Sequence, residues 1–395
     1  MLNMGYKDDT FNIDSLFYMD DALIFADDEF KIKRILNRIE NICIKYGLIL
    51  HKDKCKILVY NNDESIEEIN GIEVVPKIKY LGIIIENKRT IFQLQKAKIF
   101  ESANKHANMM YSMLGKCCNR LLIGKTFWKG LVLPNILYGS DIIDFTIENI
   151  KALQVLDNRA YRDILKVPKY TATSFLRGEV GASAAETRII KNKISFLKHA
   201  YQGDNELLKE IVQYDFEWKI TKWSKCVHKC LNLLDLQLHQ ILSMSKPAIE
   251  SKLIEWDDIN WRTNADNTKT LEIYRTVKDK PSETKWFRNG LKYAIMMQAR
   301  SDTLKLGWRG FDEDRIITCK ICEQNKIETL EHFILDCPEL QCIRRRILFL
   351  QLPRKQSTDD LLKKALLFLE DEVHSEMIID TVFQMWLERK KRLEN

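Results

Sequence analysis

Four side chains that lie close together in the sequence have the spacing of a metal site. Two residues separate Cys319 from Cys322, nine residues follow before His332, and four more before Cys337. A Cys-x-x-Cys turn presents two thiolates to one ion, and four protein ligands leave no open coordination position for catalysis. The spacing therefore predicts a structural Cys3His zinc site at Cys319, Cys322, His332 and Cys337, with buried unligated thiols as the alternative.

Two adjacent carboxylates, Asp20 and Asp21, lie between the apolar runs SLFYM and ALIFA. Aromatic and β-branched content on both sides predicts a buried β-hairpin over residues 15–26 with the aspartates at its tip. Mutual repulsion between such carboxylates favours a hard divalent cation such as Mg²⁺. In two-metal phosphoryl transfer, ions held this way activate a hydroxyl and stabilise departing pyrophosphate. An ordinary exposed turn is the alternative for a bare Asp-Asp pair.

Positive charge is concentrated between Asn87 and Gly130, where nine basic residues face one acid, Glu101. The basic residues are Lys88, Arg89, Lys96, Lys98, Lys105, Lys116, Arg120, Lys125 and Lys129. The segment nets +8, whereas the whole chain nets only +6. Concentrated charge of this kind is the electrostatic footprint of a contact with a phosphate backbone. A solvated helix face is the alternative on charge alone.

Composition excludes several protein classes. The 395 residues are 45% hydrophobic, enough for two or three domains of about 150 residues each with real cores. Fourteen Gly and seven Pro are few, which disfavours an all-β fold. Ten cysteines lack the density of a secreted disulfide scaffold, and no apolar stretch approaches the roughly 18 residues of a membrane span. Without a signal peptide, we expect an intracellular location, nuclear and/or cytoplasmic.

Hydrophobic periodicity predicts an α+β, mostly helical fold. A helix over residues 27–46, ended by Gly47, follows the hairpin. Strand-like pieces come next, at 48–50, 56–60, 72–75 and 79–85. Beyond about residue 91 the pattern is helical, with breaks at Pro134 and Pro168. Two amphipathic helices form the tail.

The tetrad Tyr18-Met19-Asp20-Asp21 and its apolar flanks resemble the catalytic hairpin of reverse transcriptases. Further motifs follow in the family's order. GLILHKDKCK, at 47–56, is similar to the next motif of the polymerase palm, with His51 and Cys55 in place of the usual Asn and Ser or Thr. KYLG, at 79–82, matches the turn that grips the primer end. VLPNILYG, at 132–139, resembles a thumb segment of non-LTR, LINE-type enzymes, and 319–340 resembles their terminal zinc module.

The resemblance implies roles for individual residues. Asp20 and Asp21 would be catalytic and hold Mg²⁺, and Lys54 would protonate pyrophosphate or pair with a phosphate, a plain surface lysine being the alternative. Tyr80, Leu81 and Gly82 would hold the primer. The nine basic residues fall where the family has its thumb, on primer and template, and the zinc module would bind the element's RNA or target DNA. A dNTP would be the substrate of the full-length nucleotidyltransferase.

One family feature has no counterpart here. A further aspartate, on a strand before the hairpin, shares the metals in this family, and the fingers also lie upstream. Only fourteen residues precede Ser15, and Asp8, Asp9 and Asp14 are too close in sequence to supply it. We therefore expect the C-terminal part of a longer polymerase, inactive or nearly so alone. The predicted segments are a partial palm (1–90), a helical thumb and connection (91–184), a helical region of unknown role (185–295), the zinc module (296–345) and a helical tail (346–395).

Two other hypotheses remain open at this stage. The chain could be a non-catalytic nucleic-acid-binding zinc protein derived from such an element, or a helical scaffold with zinc, which leaves the ordered motifs unexplained. Side chains spaced i, i+2 and i+4 do not meet at one point in a helix, so packing is the better interpretation for Cys226, His228 and Cys230. The same interpretation applies to Cys117 and Cys118. Arg344, Arg345 and Arg346 are further candidates for nucleic-acid contact, with three solvated arginines on a helix as the alternative.

Overall fold

Short antiparallel hairpins come first along the chain and helices follow. The computed structural model describes residues 15–60, 66–88, 92–115, 119–272, 274–306, 317–348 and 372–394. The chain divides into two compact units, Met1–Ile99 and Phe100–Asn395. The predicted α+β, mostly helical class is confirmed.

The described residues of the first unit before residue 93 form three two-stranded hairpins, one α-helix and a short 3-10 turn. The strands are β1 (Ser15–Tyr18), β2 (Asp21–Ile24), β3 (Glu68–Ile69), β4 (Ile72–Glu73), β5 (Lys77–Tyr80) and β6 (Ile83–Glu86), paired β1–β2, β3–β4 and β5–β6. Helix α1 (Glu29–Lys45) begins at Asp28, whose carboxylate accepts the Lys31 N–H at 2.6 Å. It ends before Gly47, which has φ 69°. The predicted strand at 48–50 is absent from these described residues, and the one at 56–60 forms only a bridge from Ile57 to Val74.

The hairpin of β1 and β2 forms as predicted, but the prediction that it is buried is wrong. Every residue of β1 is exposed, Phe17 by 73%, and Met19 in the turn by 88%. Alternating strand residues point to opposite faces, so exposure along all of β1 means that the described residues cover neither face of β1, whereas Leu23 and Ile24 of β2 are half-buried. Its apolar content is the pattern of a buried strand without the neighbours that would bury it.

The second unit is helical. Helix α2 (Gln93–Leu114) begins in the first unit and continues into the second. The helices that follow it are α3 (Arg120–Phe127), α4 (Leu133–Leu137), α5 (Ile147–Leu165), α6 (Thr173–Val180), α7 (Ala185–Gln202), α8 (Glu206–Trp218), α9 (Lys222–Leu233), α10 (Leu238–Ser243), α11 (Lys246–Asp266), α12 (Tyr274–Val277), α13 (Leu291–Arg300), α14 (Gln341–Leu348) and α15 (Glu372–Glu394). A π-helical turn, Trp128–Val132, joins α3 to α4, and Pro134 stands in the first turn of α4. Pro168 follows the end of α5, where Lys166 is left-handed.

The region 185–295, whose sequence suggests only polar helices, has its own hydrophobic core. Helices α7 to α11 surround an apolar cluster that includes Ile194, Leu197, Val227 and Ile241, all fully buried. Each Å² of apolar surface that is removed from water stabilises the folded state by about 25 cal/mol. The amphipathic faces of these helices therefore account for the stability of the region.

Buried charges connect helices that are distant in sequence. Arg177 of α6 donates two hydrogen bonds to Asp257 of α11, both at 2.8 Å, and Thr187 of α7 donates to the same carboxylate at 2.7 Å. Glu179 is fully buried, with Arg300 Nε at 3.2 Å and the Tyr274 hydroxyl donating at 2.8 Å. These partners satisfy the carboxylates in a low-dielectric interior. Within the described part of the chain, no helix is long and apolar enough to cross a membrane.

Candidate metal centre and acidic hairpin

The structure brings Cys319, Cys322, His332 and Cys337 together. Their ligand atoms all lie within 4.8 Å of one another, and all four residues are buried. Cys319 Sγ is 4.0 Å from Cys337 Sγ, and Cys322 Sγ is 3.5 Å from His332 Nε2. A tetrahedral ion with Zn–S bonds of about 2.3 Å places its sulfur ligands about 3.8 Å apart, so the four donors fit zinc in number, type and spacing.

Local backbone contacts bring the four ligands to one point. A bridge between Thr318 and Ile327 turns the first Cys pair back, and the Cys319 N–H donates to the Lys326 carbonyl at 2.8 Å. A π-helical turn, His332–Asp336, carries the third ligand, and the Cys337 N–H donates to the His332 carbonyl at 2.8 Å. The backbone that follows the first Cys pair therefore folds back on itself before it reaches His332.

Burial sets the protonation of the cluster. It raises the pKa of Cys319, and with the neighbouring Cys319 thiol it raises the pKa of Cys337 to about 12. Burial also lowers the pKa of His332, which keeps the imidazole neutral, as a metal ligand must be. Zinc would displace the thiol protons when it binds. His332 Nδ1 is buried and has no hydrogen-bond partner among the described residues, so only Nε2 is directed at the other ligands.

Two arginines stabilise this module through buried hydrogen bonds. Arg344 is buried and donates to the carbonyls of Ile334 at 2.7 Å and Cys337 at 2.6 Å, so its proposed contact with nucleic acid is wrong. Arg389 of α15 makes a bidentate pair with buried Glu328, at 2.5 and 2.7 Å, which sequence reasoning missed because 61 residues separate them. Arg345 is exposed, and the side chain of Arg346 lies outside the described residues.

Asp20 and Asp21 occupy the tip of the first hairpin. Tyr18 pairs with Asp21, so Met19 and Asp20 form a two-residue turn. Met19 has φ 53°, an uncommon value for a residue with a side chain, which a tight hairpin turn requires. Both aspartates are exposed, and among the described residues they belong to no group of three or more possible metal ligands. Asp8, Asp9 and Asp14 lie outside the described residues.

The second predicted turn is also formed. Tyr80 ends β5, and Leu81 and Gly82 have φ 46° and 84°, the two positive values of a type I′ hairpin turn. Lys54 ends a 3-10 turn, Lys52–Lys54, and is exposed. Its neighbour Lys52 instead donates to the Asn70 carbonyl at 2.9 Å. The predicted roles of Tyr80, Leu81, Gly82 and Lys54 with primer and pyrophosphate stay predictions.

The nine predicted nucleic-acid contacts separate into groups. Exposed residues are Lys88, Lys98, Lys105 and Lys129. Buried residues are Lys96, Arg120 and Lys125, a correction to the predicted surface. Arg120 donates to the carbonyls of Leu114 at 2.7 Å and Asp163 at 3.0 Å, and Lys125 pairs with Glu283, so these cations hold the fold. Arg89 and Lys116 lie outside the described residues.

The remaining Cys/His candidates are structural where they are described. His228 stacks on Phe216 with ring centroids 3.9 Å apart, and its Nε2 is 2.8 Å from the Phe216 carbonyl oxygen. Cys230 is buried in the core of α7 to α11. Cys117 and Cys118 lie outside the described residues. Packing, as predicted, accounts for His228 and Cys230.

Comparison with known families gives one match. Residues 5–85 match the family model described as reverse transcriptase (RNA-dependent DNA polymerase). The matched segment contains the acidic hairpin, α1 and the turn at Leu81 and Gly82. No curated protein and no solved structure matches the chain. The match supports reverse transcriptase function at the level of the family, whose members are nucleotidyltransferases that use a divalent metal and bind a template and primer.

Proposed function

We propose that this chain is the C-terminal part of the reverse transcriptase of a non-LTR, LINE-type retrotransposon. The observation that carries the proposal is the family match over residues 5–85, a segment that contains both the hairpin with Asp20 and Asp21 and the Leu81-Gly82 turn. The Cys3His cluster downstream supports the LINE-type assignment, because the sequence around it resembles the zinc module of those elements.

In the proposed reaction, the 3′-hydroxyl of a primer attacks the α-phosphate of a dNTP and pyrophosphate leaves. Asp20 and Asp21 would hold Mg²⁺, which supplies charge stabilisation to the phosphoryl group. Their exposed position on a tight turn leaves both carboxylates open to ions and substrate. Tyr80, Leu81 and Gly82 would orient the primer end, and Lys54 would protonate or pair with the departing phosphate.

A non-catalytic nucleic-acid-binding zinc protein is the second candidate. It is favoured by the contrast between the two sites: the described residues complete a four-ligand zinc cluster but give Asp20 and Asp21 no third ligand. On either proposal the partners are RNA and a DNA primer or target, the zinc is structural, and the location is nuclear and/or cytoplasmic. The exposed basic residues Lys88, Lys98, Lys105 and Lys129 would contact the phosphate backbone.

Primer extension and RNA binding, measured together, test both proposals. Purified chain would be given a primed RNA template, dNTPs and Mg²⁺, beside the double variant Asp20→Ala/Asp21→Ala and the control Asp27→Ala/Glu67→Ala, which removes two exposed acids elsewhere in the first unit. Extension lost only in the first variant would show that the chain is a self-sufficient polymerase. No extension with salt-sensitive RNA binding favours a polymerase fragment or the second candidate. Absence of both extension and binding overturns both proposals.

A further inference from the structure

The turn between α8 and α9 presents an exposed aromatic ring beside a row of lysines. Of the tryptophans that the structure describes, Trp218 alone is exposed, with 65% of its surface accessible. It is the last residue of α8, and Lys219 follows it. Lys222, Lys225 and Lys229 of α9 are also exposed. Between residues 217 and 229 the only acid is Glu217, so this segment nets +3.

The three lysines of α9 form one stripe. They are spaced i, i+3 and i+7, which places them on one helix face over about 10 Å. The opposite face, with Ser224, Val227, Cys230 and Leu231, is buried, so the stripe points outward. Lys222 pairs with Asp144 at 4.0 Å, and within the described ranges no other ion pair to the three lysines occurs.

A buried carboxylate fixes the turn. Asp215 accepts hydrogen bonds from the Thr221 N–H at 2.8 Å, the Thr221 hydroxyl at 2.6 Å and the Ser224 hydroxyl at 2.9 Å. These contacts join the end of α8 to the first turn of α9. The ring and the stripe are therefore held on a rigid support, which reduces the entropy lost when a ligand binds.

A second tryptophan, Trp223 in the first turn of α9, is not exposed in the way that Trp218 is. Trp223 donates its Nε1–H to the Asp141 carbonyl at 2.7 Å and packs edge-on against Phe196, with ring centroids 5.6 Å apart. Trp223 is therefore held by the fold, whereas Trp218 makes a ring contact with Tyr214, with centroids 6.4 Å apart, and is still 65% exposed. An exposed aromatic ring keeps its face available for stacking on an unpaired base.

We infer that Trp218, Lys219, Lys222, Lys225 and Lys229 form a binding site for single-stranded nucleic acid, named here the α8–α9 surface. Lysines along a groove or stripe neutralise phosphates, and an exposed aromatic ring stacks on an unpaired base whatever its sequence. A duplex fits less well, because its bases are already stacked on one another. The inference deepens the proposed function, and rests on it, by giving the region 185–295 a role in holding template or displaced strand.

Fluorescence anisotropy of the full chain with labelled oligo(dT) and oligo(rU), over a series of NaCl concentrations, tests the site. The variant Lys222→Gln/Lys225→Gln/Lys229→Gln should flatten the slope of log K against log[salt] by about 2, because each phosphate contact on a single strand contributes about 0.7. Trp218→Ala should weaken binding about 5- to 150-fold, the loss expected for one stacked base, without changing the slope.

A charge-matched control is Lys246→Gln/Lys280→Gln/Lys285→Gln, which removes three exposed lysines elsewhere on the second unit. It should leave the slope unchanged, and circular dichroism should show all variants folded. The inference is overturned if the slope is unchanged in the α9 variant, or if the wild type binds duplex as tightly as single strands. In either case the proposed function still stands, because the wild type binds nucleic acid. No binding by the wild type overturns both.

Discussion

Asp302 should lower the free energy of unfolding as pH rises, and replacing Asp302 should remove this decrease. The residue follows α13 with φ 50°, and its N–H donates to the Ala299 carbonyl at 3.1 Å. Burial raises the pKa of Asp302 to about 7. In the unfolded chain an aspartate has a pKa of about 3.9. Asp302→Asn keeps the shape of the side chain and tolerates the left-handed backbone, but cannot ionise.

The sign and size follow from proton binding. Below pH 4 the carboxyl is protonated in both states, so its burial costs no ionisation energy. Between about pH 4 and 7 the unfolded chain releases the proton that the folded chain retains, and stability falls by about 1.4 kcal/mol per pH unit. The difference between Asp302→Asn and wild type should therefore grow from about 2 kcal/mol at pH 5.5 to about 4 kcal/mol at pH 8.

Urea unfolding followed by tryptophan fluorescence at several pH values measures this difference. Asp235→Asn is the matched control, because Asp235 has φ 52°, donates its N–H to the carbonyl three residues before it at 3.1 Å, and is exposed. Its effect on the free energy of unfolding should stay within about 0.5 kcal/mol at every pH. A stability gain for Asp302→Asn that is the same at pH 5.5 and 8 would refute the reasoning.

Three further predictions concern the metal cluster and the packing of the second unit. Cys337→Ser should abolish stoichiometric zinc, measured by elemental analysis, and lower the melting temperature, whereas the exposed Cys342→Ser should do neither; zinc retained at full stoichiometry in Cys337→Ser would contradict the site. Arg389→Met removes the bidentate contact that Arg389 makes with buried Glu328 and should cost about 3–5 kcal/mol of unfolding free energy, which Glu328→Met in the same chain should largely restore; an additive loss in the double variant would count against this account. Gly178→Ala places a methyl group against the Tyr274 hydroxyl and 3.0 Å from Trp261, and should cost at least about 1–3 kcal/mol in urea unfolding, whereas Gly130→Ala, with open space around it, should be tolerated; equal effects of the two substitutions would be inconsistent with the packing described.

Local features were predictable from the sequence and burial was not. The end of α1 at Gly47, the tight turn at Leu81-Gly82 and the Cys/His spacing depend on residues close together in the chain, so their patterns are visible without a fold. The same reasoning failed for the first hairpin, because an apolar strand is buried only if other elements cover it. Its prediction of a site at Asp20 and Asp21 remains untested by geometry.

The basic segment shows the same limit. Arg120 and Lys125 contribute to its charge, but Arg120 binds a carbonyl 43 residues away and Lys125 pairs with an acid 158 residues away. No count of local charge can separate such cations from exposed ones. Conversely, Trp218 could not be distinguished from the other tryptophans until the fold showed which of the described rings is exposed.

The pair between Glu328 and Arg389 has a consequence for synthesis of the protein on the ribosome. Chains emerge from the N-terminus onward, and domains fold as they emerge. Glu328 and the zinc ligands are translated before α15, so the bidentate pair between Glu328 and Arg389 cannot form until residue 389 has been added. The core of α7 to α11 needs nothing from α15 and can form first. The zinc module is therefore expected to be the last part of this chain to become resistant to proteolysis during translation.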